Sequence, residues 1–279
     1  MEGDPVDSED FPDTVDDDDP AFDSSVSHHA RVYNYLLGGK DHFAADRAHA
    51  EALLSVYPGT AAVARANRDF VGRAVRFLAD EAGLSQFLDI GTGIPGPGST
   101  HEVAQAVKPD SRIVYVDNDP VVLAHARAFL VGRGPGTTDY IDADLRDPEL
   151  ILRRAARTLD FGQPVGLLLI AILHAIGDKD DPHRIVATLM DSLPSGSYLA
   201  ITHWGTDRVN PEAVTKVGNI NREMSHHQYT ARTEDEIARF FNGLGLVEPG
   251  LARVEAWRSG PGADTALDLV VWAGVARKP

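Results

Sequence analysis

The sequence contains no cysteine and only three methionines in 279 residues, which excludes disulfides, thiolate nucleophiles and cysteine-ligated metals. It also lacks a long apolar run. The longest, Val165 to Leu173, is about half of the roughly 20 residues a membrane helix needs. Lysine and arginine are missing from the first 27 residues, the wrong charge for a secretory signal peptide. These absences predict a cytoplasmic protein with no membrane partner.

Residues 1–27 hold eleven of the 42 acids, so most of the net charge of −16 belongs to them and the remaining body carries −5. Such a segment repels itself and has little to bury, which predicts a disordered acidic tail, either a solvated leader or an acidic recruitment arm. A mildly acidic body offers no clustered basic surface for a phosphate backbone, so nucleic acid is not expected as a partner. The pairs His28-His29 and His226-His227 hold adjacent rings that point apart on a helix or strand, so no metal site is expected.

Three helical stretches precede the first strand: Ala30 to Leu37, Phe43 to Val56, and one from Thr60 with Val63, Phe70, Ala74, Phe77 and Leu78 on one stripe, closed by Gly83. From Phe87 the pattern alternates. Strands are expected at Phe87–Ile90, Arg112–Val116, Thr138–Ile141, Val165–Ile170 and Ser197–His203. Helices near Pro120–Leu130, Pro148–Thr158 and Pro182–Leu193 fill the crossovers of a parallel sheet. Ser99 with Glu102, and Thr233 with Glu236, read as capping boxes. Pro211–Ser225 reads as a helix. Ala252–Trp257 and Leu267–Val275 read as two strands joined by the Ser259–Asp264 turn, an antiparallel edge.

The chemistry concentrates at strand ends. Phe87-Leu88-Asp89-Ile90-Gly91-Thr92-Gly93 runs from an apolar strand into an acid and two glycines, which let a ligand approach the backbone closely. The next strand ends in Asp117-Asn118-Asp119-Pro120, where an acid can accept hydrogen bonds from both ribose hydroxyls. Asp119, before proline, suits the cap of the following helix.

Gly91 to Gly96 matches G-x-G-x-x-G, and Asp117 lies 21 positions beyond Gly96, as an NAD site would have it. Three features oppose that reading. Asp89 would face a diphosphate, Pro95-Gly96-Pro97-Gly98 delays the helix that should receive it, and a further acid, Asp144, follows the third strand. A ligand with an ammonium group, a ribose and an adenine amine but no phosphate suits these acids, and S-adenosylmethionine is such a molecule.

On these residues the chain resembles the Rossmann-like, class I methyltransferases: Asp89 to Gly93 looks like their first motif, Val116 to Pro120 their second, and Asp142-Ala143-Asp144-Leu145 their third. The resemblance implies an α/β fold, a three-layer sandwich with a mostly parallel seven-stranded sheet and an antiparallel last strand, covered by an N-terminal helical cap. It implies S-adenosylmethionine as cofactor and S-adenosylhomocysteine as product. Asp89, Ile90, Gly91, Thr92 and Gly93 would hold the methionine end, Asp117 the ribose hydroxyls, Asp144 the adenine amine and Leu145 one adenine face, with Asn118 and Ala171 also at the site. The segment Ala30 to Phe43, Ala66-Asn67-Arg68, Leu173-His174 and Arg232-Thr233 further resemble the actinobacterial methyltransferase family once classed as a domain of unknown function. The division expected is a tail (1–27), a cap (28–84) and a methyltransferase domain (85–279), cap and core forming one unit.

For the acceptor, taken as a small molecule, the pocket candidates are Tyr33, His42, His174 and His203. The Gly38-Gly39-Lys40-Asp41-His42 turn could serve as a lid. Tyr33 and Tyr35, two apart on a helix, cannot share a face, so one packs while the other lines the pocket. His174 and His203 follow the fourth strand and end the fifth, where either could act as a general base or be hydrogen-bonded structure. Arg68 could reach an anionic group. Two other readings stay open: a non-catalytic binder of the same cofactor, and an NAD-dependent oxidoreductase.

Overall fold

The computed structural model describes residues 23–129, 136–207, 209–225, 229–260 and 269–279, with residues 126–129 as backbone alone. Residues 1–22 of the acidic segment, His226-His227 and residues 261–264 of the expected turn lie outside the described residues. Ser27 is buried, and its hydroxyl meets His49 Nδ1 at 2.7 Å.

Five parallel strands form where apolar runs were expected: β1 (Gln86–Ile90), β2 (Arg112–Asp117), β3 (Thr137–Asp142), β4 (Gly166–Ile170) and β5 (Tyr198–Trp204). Three more follow, β6 (Gly245–Leu246), β7 (Ala252–Arg253) and β8 (Val271–Arg277). The order across the sheet is β3-β2-β1-β4-β5-β8-β6, with β8 antiparallel to both neighbours. That path has the expected seven strands, and the two-residue β7 is an eighth, also paired with β8. The last strand is therefore interior rather than an edge. The expected strand at 252–257 stops at Arg253 because the Arg73 guanidinium takes the carbonyl oxygens of Val254 (2.7 Å) and Trp257 (2.8 Å), turning them towards a helix.

Strand alternation splits the core into two layers. Leu88, Val114, Leu167, Leu169, Leu199 and Ile201 face one side, with helices α6 (Pro148–Ala155) and α7 (Pro182–Asp191) over them. Phe87, Ile113, Leu168, Ala200 and Val275 face the other. There Phe70, Ala74 and Leu78 of α3 (Thr60–Asp80) pack on them beside α4 (Thr100–Val107). Thus α3 belongs to the sandwich. The cover is made by α1 (His29–Leu36) and α2 (Ala44–Val56), whose Val32, Leu36 and Ala50 form a small core, together with α8 (Pro211–Ser225), against which α2 packs.

Asp147 and Asp181 cap their helices, accepting from Leu150 N (3.0 Å) and Arg184 N (3.1 Å) just ahead of the expected prolines. The Thr233–Glu236 capping box opens α9 (Glu234–Ala238). The box expected at Ser99 does not form. Ser99 Oγ turns back onto Gly96 O, and Glu102 Oε2 accepts from Gly98 N at 2.8 Å, because the Pro/Gly loop offers its own unpaired groups first. Among the described residues no helix is long and apolar enough to cross a membrane.

Candidate cofactor and acceptor site

The sheet order reverses between β1 and β4, and such a reversal opens a crevice beyond the carboxyl ends of the strands. A cavity of about 210 Å³ lies there, running from the loop after β1 to the underside of α1 and α2.

The loop is built by positive backbone angles. Gly91 has φ +75° and Gly93 φ +66°, and a Cβ on Gly91 would sit 2.7 Å from Ile172 Cγ1, so only glycine fits there. Gly93 N donates to Asp117 Oδ2 (2.8 Å) and Asp119 N donates to Asp117 Oδ1 (3.1 Å), which ties the loop to the tip of β2. Each Asp117 oxygen keeps a second lone pair for a ligand. Burial raises the Asp117 pKa. Asp89, on the cavity wall, accepts from Thr100 Oγ1 at 2.6 Å, and burial pushes its carboxyl up to about 6. After β4, Ala171 takes a left-handed conformation (φ +53°), its N–H held by Thr202 Oγ1 at 2.9 Å.

Five of the expected cofactor contacts (Asp89, Gly91, Thr92, Gly93 and Ala171) lie on the cavity wall. The others do not. Ile90 and Leu145 are in the core, Asp117 stands behind the loop, and Asn118 and Asp144 sit at the strand tips, joined by Asn118 Nδ2 to Asp144 Oδ2 at 3.3 Å. Asp144 is also paired with Arg146 at 3.0 Å. Asp119 caps α5 (Pro120–Phe129) through Val121 N (2.7 Å) and pairs with His28 Nδ1 (2.6 Å) and Arg31 Nε (3.4 Å), which fastens α1 over the crevice. Arg68 donates to Gly96 O (3.1 Å) and Pro97 O (3.4 Å), bracing the loop rather than waiting for an anion.

Among the acceptor candidates, Tyr33 and His174 line the cavity. The Tyr33 hydroxyl is engaged, donating to Ala64 O (2.8 Å) and accepting from Asn67 Nδ2 (2.9 Å). Tyr35 is the outward one of the pair, bonded to Glu51 Oε1 at 3.3 Å. His42 is off the wall: its Nε2 meets Gly39 O at 3.1 Å and its ring lies against Tyr35, because the double glycine folds it back on its own turn. His203 is off the wall as well. Arg232 Nη1 donates to His203 Nε2 at 2.8 Å, so the ring proton is on Nδ1, which faces Trp204 O at 2.9 Å. With both nitrogens used and the pKa held well below the ordinary value by burial, this ring is structural. His174 stacks on Tyr229, and burial beside Arg232 lowers its pKa to about 4, so it is a neutral imidazole.

Sequence reasoning missed much of the far wall: His49, Tyr57, Trp204, Asn221 and Tyr229. His49 is clamped between Ser27 Oγ and Asn221 Oδ1 (2.9 Å), a contact spanning 172 positions that no local pattern announces. Trp204 was within reach, since alternation along β5 puts residue 204 on the face of Ala200, towards the cap, and residue 203 on the other.

The donor set suits a cationic, phosphate-free adenosyl amino acid: carboxylates stand at the tips of β1, β2 and β3, and Arg68, the one Lys or Arg on the cavity wall among the described residues, is spent on carbonyls. A diphosphate would meet Asp89 at the loop mouth.

The comparisons agree. A sequence model of the S-adenosyl methyltransferase family matches residues 16–279. A DUF574 family protein from Streptomyces avermitilis is 42% identical, with a TM-score of 0.88 over 92% of this chain and 99% of that one. A provisionally assigned methyltransferase from Thermobifida fusca is 43% identical, with a TM-score of 0.83 over 91% and 96%. A SAM-dependent methyltransferase from Anabaena variabilis, 14% identical with a TM-score of 0.50 over 74% and 84%, shares the fold. No curated protein matches the chain. The chain belongs to the S-adenosyl methyltransferase family, and is an S-adenosylmethionine-dependent methyltransferase.

Proposed function

We propose that the methionine end of the cofactor is held by Asp89, Thr92 and the Gly91 and Gly93 backbone, the ribose by Asp117, and the adenine by Asn118, Asp144 and Leu145, with Ala171 beside it. The methyl acceptor is a small molecule bound under α1 and α2. The observation that carries the methionine-end and acceptor assignments is the continuity of one cavity from Asp89 and the glycine loop to the cap. The cofactor supplies a methyl group already activated by the sulfonium charge. The chain has to orient the acceptor, exclude water, and take up a proton where the acceptor loses one. The cap segments serve the first two tasks. The absence of cysteine and the net charge of −16 support a cytoplasmic enzyme that does not act on nucleic acid, and the Streptomyces and Thermobifida relatives support an actinobacterial source.

Hydrogen exchange with and without S-adenosylhomocysteine tests the assignment. Protection is expected at 89–93, 117–119, 144–145 and 171. A footprint that leaves those segments unchanged contradicts it.

A further inference from the structure

The cavity wall changes chemistry along its length. Among the described residues Arg68 and Asp89 are its only Arg, Lys, Asp or Glu, and both stand at the glycine-loop end. Beyond them the wall is aliphatic and aromatic, with Leu53, Val71, Val217 and Leu269 around Tyr57 and Trp204. Five further titratable groups on the wall favour their neutral forms. Burial lowers the pKa of His49 and of His174, and raises that of Tyr33, Tyr57 and Tyr229. A charged acceptor would lose its hydration here and gain no counter-charge.

Polar atoms are nevertheless left over. Trp204 Nε1, Tyr57 Oη, Asn67 Oδ1 and His174 Nδ1 are buried with no hydrogen-bond partner. In a folded protein such groups find partners, and all four residues line this cavity. His174 is fixed in place: Thr230 N donates to its carbonyl oxygen at 2.7 Å, Tyr229 stacks on its ring, and His203 meets the ring edge-on. Arg232 is saturated by Leu173 O, Ile176 O, His203 and Asp178, so it stiffens this turn without offering a donor to a ligand.

Building on the cofactor assignment above, we infer that the acceptor is an uncharged, ring-bearing molecule methylated on a phenolic hydroxyl, and that His174 receives the hydroxyl proton. The acceptor oxygen forms the new bond to the methyl carbon as the sulfur–methyl bond breaks. That electron pair stays on sulfur, which leaves as a neutral thioether. The hydroxyl proton goes to the imidazole of His174. A weakly basic imidazole suffices, because the hydroxyl becomes strongly acidic as its oxygen is alkylated.

The test uses the full chain saturated with S-adenosylhomocysteine and three probes on one skeleton: 2-naphthol, 6-hydroxy-2-naphthoate and 6-(aminomethyl)-2-naphthol. Calorimetry should give 2-naphthol a dissociation constant at least tenfold below either charged probe. Equal or tighter binding of a charged probe overturns the proposal, as does no binding of 2-naphthol to a complex that holds the homocysteine product. Failure of that product to bind overturns the cofactor assignment instead. With S-adenosylmethionine, His174→Ala and His174→Gln should each lower kcat for 2-naphthol at least a hundredfold, with product affinity within threefold of the parent as the control for folding. Wild-type kcat should be flat between pH 6.5 and 8.5. An undiminished kcat in both variants, or a wild-type rate climbing tenfold per pH unit as free phenolate accumulates, removes His174 from the role.

Discussion

The end of the cavity nearest β1 carries Asp89, Arg68 and a glycine loop tied to β2 through Gly91 and Gly93, whereas the end beneath the cap carries aromatic and aliphatic side chains with neutral imidazoles between them. The first is drawn from short contiguous segments at strand tips. The second is drawn from residues scattered between His29 and Val271, brought together by α2 packing on α8. The contrast follows from what each end holds. A cofactor of fixed shape and charge demands fixed backbone geometry, while an apolar acceptor asks for volume and neutrality, which many residues can supply.

The largest expected effect tests the rigid end. Gly91→Ala combines a left-handed backbone with a Cβ pressed on Ile172, and should cost about 2–5 kcal/mol in urea unfolding and abolish product binding. Gly98→Ala shares the angle (φ +75°) but meets nothing within 4 Å, and should cost only about 1–2 kcal/mol. Equal losses in the two would mean that packing against Ile172 is unimportant.

Arg232→Met removes a buried guanidinium that ties the turn after β4 to His203, and should destabilise by about 2–4 kcal/mol. If the two ends are as separable as proposed, product affinity in this variant falls less than 2-naphthol affinity.

Asp89 carries the pH dependence. Its folded pKa, about 6, lies above its ordinary value of 3.8, so the folded apo state favours the protonated acid. Its contribution to apo stability is therefore lost as the pH rises from about 4 through 6. A bound cation favours the ionised form, so cofactor affinity should fall as the pH drops through 6, by up to tenfold per unit. Asp89→Asn should bind about tenfold more weakly at pH 7.5 and lose that slope. Calorimetry across pH 5 to 8 reads both.

The smallest effect is expected at Tyr33→Phe. Its hydroxyl joins Ala64 O to Asn67 inside the cap, so the change should cost about 0.5–1.5 kcal/mol of stability and leave product affinity unchanged. A large loss of product affinity would place Tyr33 in the cofactor site.

The same contrast governs what could be read from the chain. Strand periodicity located β1 to β5 to within a residue or two, because a sheet buried on both faces needs uninterrupted apolar runs. The positions of Asp89, Asp117 and Asp144 at strand ends, and of His174 just after β4, follow from the same periodicity. His203 lies off the cavity because alternation along β5 turns it to the face opposite Trp204, against Phe240. Ser99 and His42 were misassigned because turn residues bonded their own loops in place of the partners expected of them. Beyond Tyr33, most of the cap-side wall could not be read, since contacts such as His49 with Asn221 exist only after the helices have packed.

The central claim is that the tip of β2 holds the ribose. Calorimetric titration of S-adenosylhomocysteine into the wild type and into Asp117→Ala tests it most directly. The variant is expected to bind more weakly by about 1–3 kcal/mol, the scale for losing a charged hydrogen-bond partner. An unchanged dissociation constant in a folded Asp117→Ala protein would contradict it.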